Sequence, residues 1–169
     1  MNLVTIRVMA FIDTILVWIH LTAATFWVGG MLFLSLVAVP LLKKAADPAS
    51  AQREFVNLAK RFRMLVWGAL SLLLLTGALL LPNLVDFPTP LGEWPPTVLI
   101  KLSLVVLLIV VSLVHDRVIG PKARTLKRQS HSSLTSGEKC LLLLSPLIGR
   151  LTMLLGLGIL LAAVLMVRS

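Results

Sequence analysis

Cysteine and charged residues are both scarce in this 169-residue sequence. Cys140 is the one cysteine, which excludes an internal disulfide, a CxxCH haem attachment and a metal site built from several cysteines. Only 14% of the residues are charged and 58% are hydrophobic, a composition that a water-soluble globule of this length cannot have. The sequence therefore predicts an integral membrane protein, in which any metal must be bound by histidine, methionine or oxygen ligands.

Acidic residues are also few, 7 against 16 lysines and arginines, and the formal net charge is +9. Such an excess can indicate a nucleic-acid-binding protein, but here the basic residues flank hydrophobic runs. They concentrate in the 43–63 and 116–139 connections, and the 82–96 hairpin has none. We therefore interpret the charge as membrane topology and predict no nucleic-acid partner. Both basic connections are expected on the cytoplasmic side of the membrane, with both termini and the 82–96 hairpin on the outer side.

Four apolar runs are long enough to cross a lipid bilayer. They predict an all-α polytopic membrane protein, an antiparallel four-helix transmembrane bundle that forms a single domain over residues 1–169. Residues 1–12 are also apolar, but the run continues well beyond the length of a signal-peptide core, so we do not predict cleavage. The expected spans are about 13–42, 64–81, 97–115 and 136–167.

Several residues mark the expected helix boundaries. Asp47 is placed to cap an amphipathic extension that leads straight into the second span. Gly120-Pro121 is expected to end the third helix. Thr135 and Glu138 form a capping box that predicts the start of the fourth helix near residue 136.

His20 lies inside the first span, where an ionisable side chain is costly and by default marks a site in the interior of a bundle. Trp27 follows seven residues later on the same helix face, and Ala23 and Ala24 leave space beside the imidazole. Two hypotheses stay open for His20. It is either a cofactor or metal ligand, or a core histidine satisfied by a backbone carbonyl one turn away.

Lys101 and His115 share one face of the third span. At about 1.5 Å per residue, His115 lies roughly 25 Å from the depth of His20, so we do not predict one haem held by both histidines. Lys101 lies closer to the depth of His20; it is either a site residue or a lysine that snorkels to the outer surface. His131, in a serine-rich loop, is interpreted as a solvated residue.

Arg150 is the other charged residue expected inside the membrane, several turns from either end of the fourth span. It lies beside Gly149, Gly156 and Ala163, small residues at seven-residue spacing that permit close helix packing. Its guanidinium could bind a propionate or another buried anion.

Several segments together resemble the CopD family of bacterial membrane proteins: HLTAATFWVGGMLFLSLVAVPLL, RFRMLVWGALSLLLLTG, the lysine that opens the third span, HDRVIGP and GRLTMLLGLGILL. The likeness covers nearly the whole chain, through the order and spacing of the motifs. The family is similar to HemJ-type protoporphyrinogen oxidases, small helical membrane proteins that bind b-type haem and use a first-span histidine and a third-span lysine. The matching positions here are His20 and Lys101, which the resemblance implies are functional.

Three functions are therefore expected as alternatives. The first is a haem b-binding or quinone-linked redox protein, with His20 as the iron ligand, Trp27 beside it, and Lys101 and Arg150 handling protons or anionic groups. The second is copper transport or resistance, which rests on the CopD name. The third is a non-catalytic small subunit of a larger bioenergetic complex. A four-helix unit has little interior for a large cofactor, which favours a homo-oligomer or a larger complex. Whether the chain is an enzyme stays open.

Overall fold

A computed structural model describes residues 2–128 and 135–168 and confirms the all-α fold class. Within these residues every regular element is helical, and four helices are long and apolar enough to cross a membrane. The protein is therefore a multi-pass membrane protein that associates with the lipid bilayer. His131 lies outside the described residues. The four candidate spans are Leu3–Leu42, Ser50–Asn83, Pro96–Ala123 and Ser136–Met166.

The chain divides into two compact units, Met1–Glu93 and Trp94–Ser169, and each is a hairpin of two long helices. The first unit contains α1 (Leu3–Phe33), a π-helical turn (Leu34–Ala38), α2 (Val39–Lys43) and α3 (Pro48–Leu80), with 3-10 turns at Leu81–Asn83 and Leu91–Glu93.

The second unit has the same order of elements. It contains α4 (Pro96–Val114), a π-helical turn (His115–Ile119), α5 (Gly120–Arg128) and α6 (Ser136–Arg168).

Helix α1 begins at Leu3 and not at the expected Asp13. The preceding residues are apolar and contain no proline or glycine that would interrupt a helix, so the helix extends to the start of the described chain. Helix α3 runs without a break from the amphipathic extension into the second span, as predicted. At its start the Ser50 amide donates to Asp47 Oδ1 at 3.4 Å.

The first π-helical turn allows the helix to pass a proline. In a regular α-helix the ring of Pro40 would clash with the carbonyl four residues earlier, and proline has no amide hydrogen to donate. The residue before it, Val39, instead donates to the carbonyl of Leu34, five residues back. The extra residue in this turn accommodates the ring, so α1 continues into α2.

The second π-helical turn has the same arrangement. Gly120 directly precedes Pro121 and donates to the carbonyl of His115. The helix therefore continues through the proline to Arg128. The prediction that Gly120-Pro121 ends the third helix is wrong, because local composition does not reveal a π-helical turn that accommodates the proline.

The capping box at the start of α6 is confirmed. Glu138 Oε2 accepts hydrogen bonds from the Thr135 amide at 2.8 Å and from the Thr135 hydroxyl at 2.9 Å. The Glu138 amide donates to Thr135 Oγ1 at 3.4 Å. These reciprocal bonds satisfy backbone donors that the first turn of a helix leaves unpaired, and α6 accordingly begins at Ser136.

Helices α1 and α3 pack closely around an aromatic residue. The rings of Phe26 and Phe62 lie with their centroids 6.3 Å apart, tilted by 40°. Gly30 lies directly against the Phe62 ring, so closely that a Cβ atom there would overlap it. The absence of a side chain at Gly30 therefore leaves room for the Phe62 ring between α1 and α3. The same two helices position His20.

Candidate functional site

The candidate site is the contact between His20 on α1 and Thr76 on α3. His20 Nδ1 lies 2.7 Å from Thr76 Oγ1. The threonine is buried, at 3% exposure, and His20 is half-buried. An imidazole at membrane depth requires a polar partner, and the antiparallel hairpin supplies this one from a residue 56 positions along the chain.

The second hydrogen bond of Thr76 determines which nitrogen of His20 carries the proton. Thr76 Oγ1 donates to the carbonyl of Leu72 at 2.7 Å, and the carbonyl of Leu73 lies 3.3 Å away. A hydroxyl has one hydrogen, so towards His20 it accepts, and Nδ1–H donates. The neutral imidazole therefore carries its lone pair on Nε2, the tautomer required of a histidine that binds a metal through Nε2.

Small residues surround this imidazole. A Cβ atom placed at Gly77 would lie 3.5 Å from His20 Cε1, in ordinary van der Waals contact, so the glycine lies beside the ring and adds no side-chain volume there. Ala23 is buried one turn from His20 on α1. The ring is thus held at Nδ1 while its neighbours occupy little volume.

Trp27 adds a buried donor to the same face of α1. Its side chain is 4% exposed, and among the described residues its indole Nε1–H has no hydrogen-bond partner. It lies seven residues from His20, about 10 Å along the helix axis. A buried N–H without an acceptor costs about 1–3 kcal/mol, so Trp27 is a donor for which the described residues supply no acceptor.

Lys101 and Arg150 both belong to the second unit, which does not bring them together. Lys101 is half-buried on α4, and Arg150 is exposed on α6. The closest atom to a Cβ placed at Gly158 is Leu104 Cδ1, at 3.9 Å, which places these two residues at one level of the α4–α6 pair. Lys101 lies three residues before Leu104, and Arg150 lies eight residues before Gly158. Because α4 and α6 are antiparallel, these two steps run in opposite directions, so Lys101 and Arg150 are roughly 16 Å apart along the helix axes.

His115 lies at the π-helical turn of the second unit. Its Nδ1 is 3.4 Å from Asp116 Oδ1, and the two side chains are 30% and 21% exposed. This neighbouring carboxylate gives His115 a local partner. In the described part of the chain, no three His, Cys, Asp or Glu side chains are grouped in a way that could hold a metal ion.

Thr76 is the site residue that the sequence did not reveal. Thr76 donates to the carbonyl of Leu72 on its own helix, as a threonine within a helix commonly does. The same oxygen also accepts from His20. The only signal that could have identified this pair is the register of the α1–α3 hairpin, which helical periodicity within one segment does not specify.

Comparison with known proteins places this architecture in a family. Residues 22–132 match the domain of unknown function DUF4149. The chain belongs to the DUF4149 family. An uncharacterized protein of Aquifex aeolicus (strain VF5) is 37% identical over 116 residues, covering 68% of this chain and 76% of that protein. No solved structure matches this DUF4149 protein.

The DUF4149 match covers Trp27, Thr76 and Lys101. His20 lies just before the matched segment and Arg150 lies beyond it. The family description carries no activity, so the function of this DUF4149 protein has to be argued from its own side chains.

Proposed function

We propose that this protein is a membrane redox protein of the CopD/HemJ-like type, with haem b bound through His20 Nε2 and electrons exchanged within the membrane. The observation that carries the proposal is the His20–Thr76 hydrogen bond. Iron-binding histidines donate their other ring N–H to a fixed acceptor, which sets the tautomer and raises the basicity of the ligand. Thr76 is such an acceptor, and it is itself oriented by its bond to Leu72.

The surroundings of the imidazole fit this group in two respects. The small residues Ala23 and Gly77 reduce the side-chain volume beside the ring. The indole N–H of Trp27 is a buried donor for an acceptor that the described residues do not supply. Lys101 and Arg150 are the cations proposed to interact with anionic groups such as propionates. When bound, haem would supply one-electron chemistry.

The copper alternative lacks comparable support within the first unit. Copper handling by soft ligands requires thioethers near the imidazole. Met31 lies eleven positions beyond His20 on the same continuous helix, roughly 16 Å along its axis. One ion cannot be bound by both residues, so we retain haem as the proposed cofactor.

The location proposed for this activity is the bacterial inner membrane, with the basic connections in the cytoplasm and both termini in the periplasm. A homo-oligomer or a larger membrane complex is proposed as the assembly, because a hairpin of two helices cannot by itself enclose a macrocycle.

The deciding experiment is the visible spectrum of protein purified in detergent from cells supplied with haem precursor. We expect a Soret band whose haem is identified as b-type by the pyridine haemochrome. His20→Ala should abolish or strongly shift this band, because a methyl group cannot ligate iron. His115→Ala is the matched control and should retain most of the band, because His115 has a local partner in Asp116.

Two outcomes would contradict the proposal. Haem-free wild-type protein under these conditions would remove the cofactor altogether, and the copper or subunit function would replace it. Loss of haem in both variants without loss of helicity would instead restore a pair of axial histidines.

A further inference from the structure

The two helical units repeat the same design at a constant distance along the chain. The π-helical turns at Leu34–Ala38 and His115–Ile119 are 81 residues apart. The prolines that follow them, Pro40 and Pro121, have the same spacing. π-helical turns are rare, so two at one spacing, each ending two residues before a proline, indicate a common origin.

The sequence of the first helix of each unit repeats at this spacing. VWIHLT at 17–22 is matched by VLIKLS at 98–103, with Val, Ile and Leu identical and Thr replaced by Ser. This alignment pairs His20 with Lys101. It also pairs Trp27, which is 4% exposed, with Leu108, which is 2% exposed, so the same position is buried in both units.

The second helix of each unit repeats in the same register. GALSLLLLTG at 68–77 aligns with GRLTMLLGLG at 149–158, again 81 residues apart and without a gap. The last glycine of each segment lies close to the first helix of its own unit. Gly77 lies next to His20 on α1, and Gly158 lies next to Leu104 on α4, the residue that aligns with Ala23.

We infer that the chain is an internal duplication of a two-helix membrane hairpin, and that Lys101 occupies in the second unit the site position that His20 occupies in the first. Each hairpin crosses the membrane twice and returns to its starting side, so the first helices of both enter from the same side. Equivalent positions then have equal depth. Lys101 is accordingly a membrane-embedded site residue and not a lysine that snorkels to the surface.

The duplication also explains how one architecture acquires two kinds of polar group. The first unit presents an imidazole, and the second presents a primary amine, which is a compact point charge when it is protonated. An ammonium at this depth selects an anionic partner, of which a carboxylate is the simplest chemical class. This inference rests on the repeated geometry and not on the presence of haem.

Depth measurements on exposed side chains test the duplication without disturbing the packed faces. On a Cys140→Ser background, single cysteines at Thr22 and Ser103, and at Phe33 and Val114, would carry nitroxide labels in reconstituted vesicles; all four positions are exposed. Collision with oxygen and with a water-soluble nickel chelate gives the depth of each label. We expect the members of each pair to agree within one helical turn, about 5 Å.

A label at Val110 is the mismatched control, since it lies seven residues beyond Ser103 and is also exposed. We expect it to differ in depth from the label at position 22 by about 10 Å. Pairs that differ by more than two turns would overturn the duplication. So would an opposite depth order from 22 to 33 and from 103 to 114, because it would show that the two hairpins are inverted.

Discussion

At the scale of single residues, the decisive atom is the hydroxyl oxygen of Thr76. It accepts from His20 and donates to Leu72, so one side chain orients the imidazole and selects its tautomer. Local sequence indicated that His20 is exceptional, because an imidazole in an apolar run costs free energy. It did not indicate Thr76, since a threonine in a helix is satisfied by its own backbone and requires no distant partner.

Thr76→Val tests this hydroxyl directly. Valine keeps the shape of threonine but cannot accept from Nδ1–H, so the buried donor loses its partner and the imidazole loses its orientation. We expect haem affinity to fall by about 10- to 100-fold, the usual effect of removing a hydrogen-bond partner of a metal ligand. Haem titration followed at the Soret band measures the change.

Thr76→Ser is the matched control, because serine retains the oxygen. Affinity close to wild type in Ser and reduced in Val supports the hydrogen bond. Equal affinity in both variants would show that Thr76 only fills space beside His20.

At the scale of helices, two consecutive glycines of α1 have opposite environments. Gly30 lies against the Phe62 ring of α3, whereas a Cβ atom at Gly29 would meet nothing within 4 Å. In the sequence Gly29 and Gly30 are two adjacent small residues, and either could allow a neighbouring helix to approach closely. Which of them contacts α3 depends on the rotation of α1 about its axis, and the broad distribution of apolar residues leaves that rotation poorly specified.

Gly30→Leu should therefore separate α1 from α3, whereas Gly29→Leu should be tolerated. Overpacking against Phe62 is expected to cost about 1–3 kcal/mol. Thermal unfolding in detergent, followed by circular dichroism, would show a lower Tm for Gly30→Leu. A comparable decrease for Gly29→Leu would mean that helix propensity, and not the Phe62 contact, controls the stability.

At the scale of the whole molecule, composition and charge were sufficient for the all-α membrane class. Four apolar runs became four helices able to span a bilayer, and the capping box of α6 appeared where Thr135 and Glu138 predict it. The start of α1 and the continuation of α5 beyond Pro121 were not predicted. Apolar residues do not distinguish a helix that ends at the membrane surface from one that extends beyond it.

The distribution of lysine and arginine leads to a prediction about orientation. With the basic connections in the cytoplasm, a cysteine at Gly92 in the 82–96 hairpin should react with a membrane-impermeant maleimide added to spheroplasts. A cysteine at Ser132 should react only after the membrane is opened. Both variants require the Cys140→Ser background, because Cys140 is exposed. The opposite labelling pattern would place the hairpin in the cytoplasm and invert the assigned depths.

Each π-helical turn also changes which residues of the following helix face the interior of the unit. An additional residue rotates the downstream helix by about 100°, so a seven-residue count that is valid before the turn is one position short after it. The seven-residue series His20, Trp27, Leu34 would continue at Leu41. Leu41, however, is 64% exposed, and the next residue, Leu42, is half-buried. In the second unit the series Lys101, Leu108, His115 would continue at Lys122. Lys122 is exposed, and the next residue, Ala123, is buried at 4% exposure. Each buried stripe thus resumes one residue late, and deletion of one residue within either turn would rotate the downstream helix by about 100°.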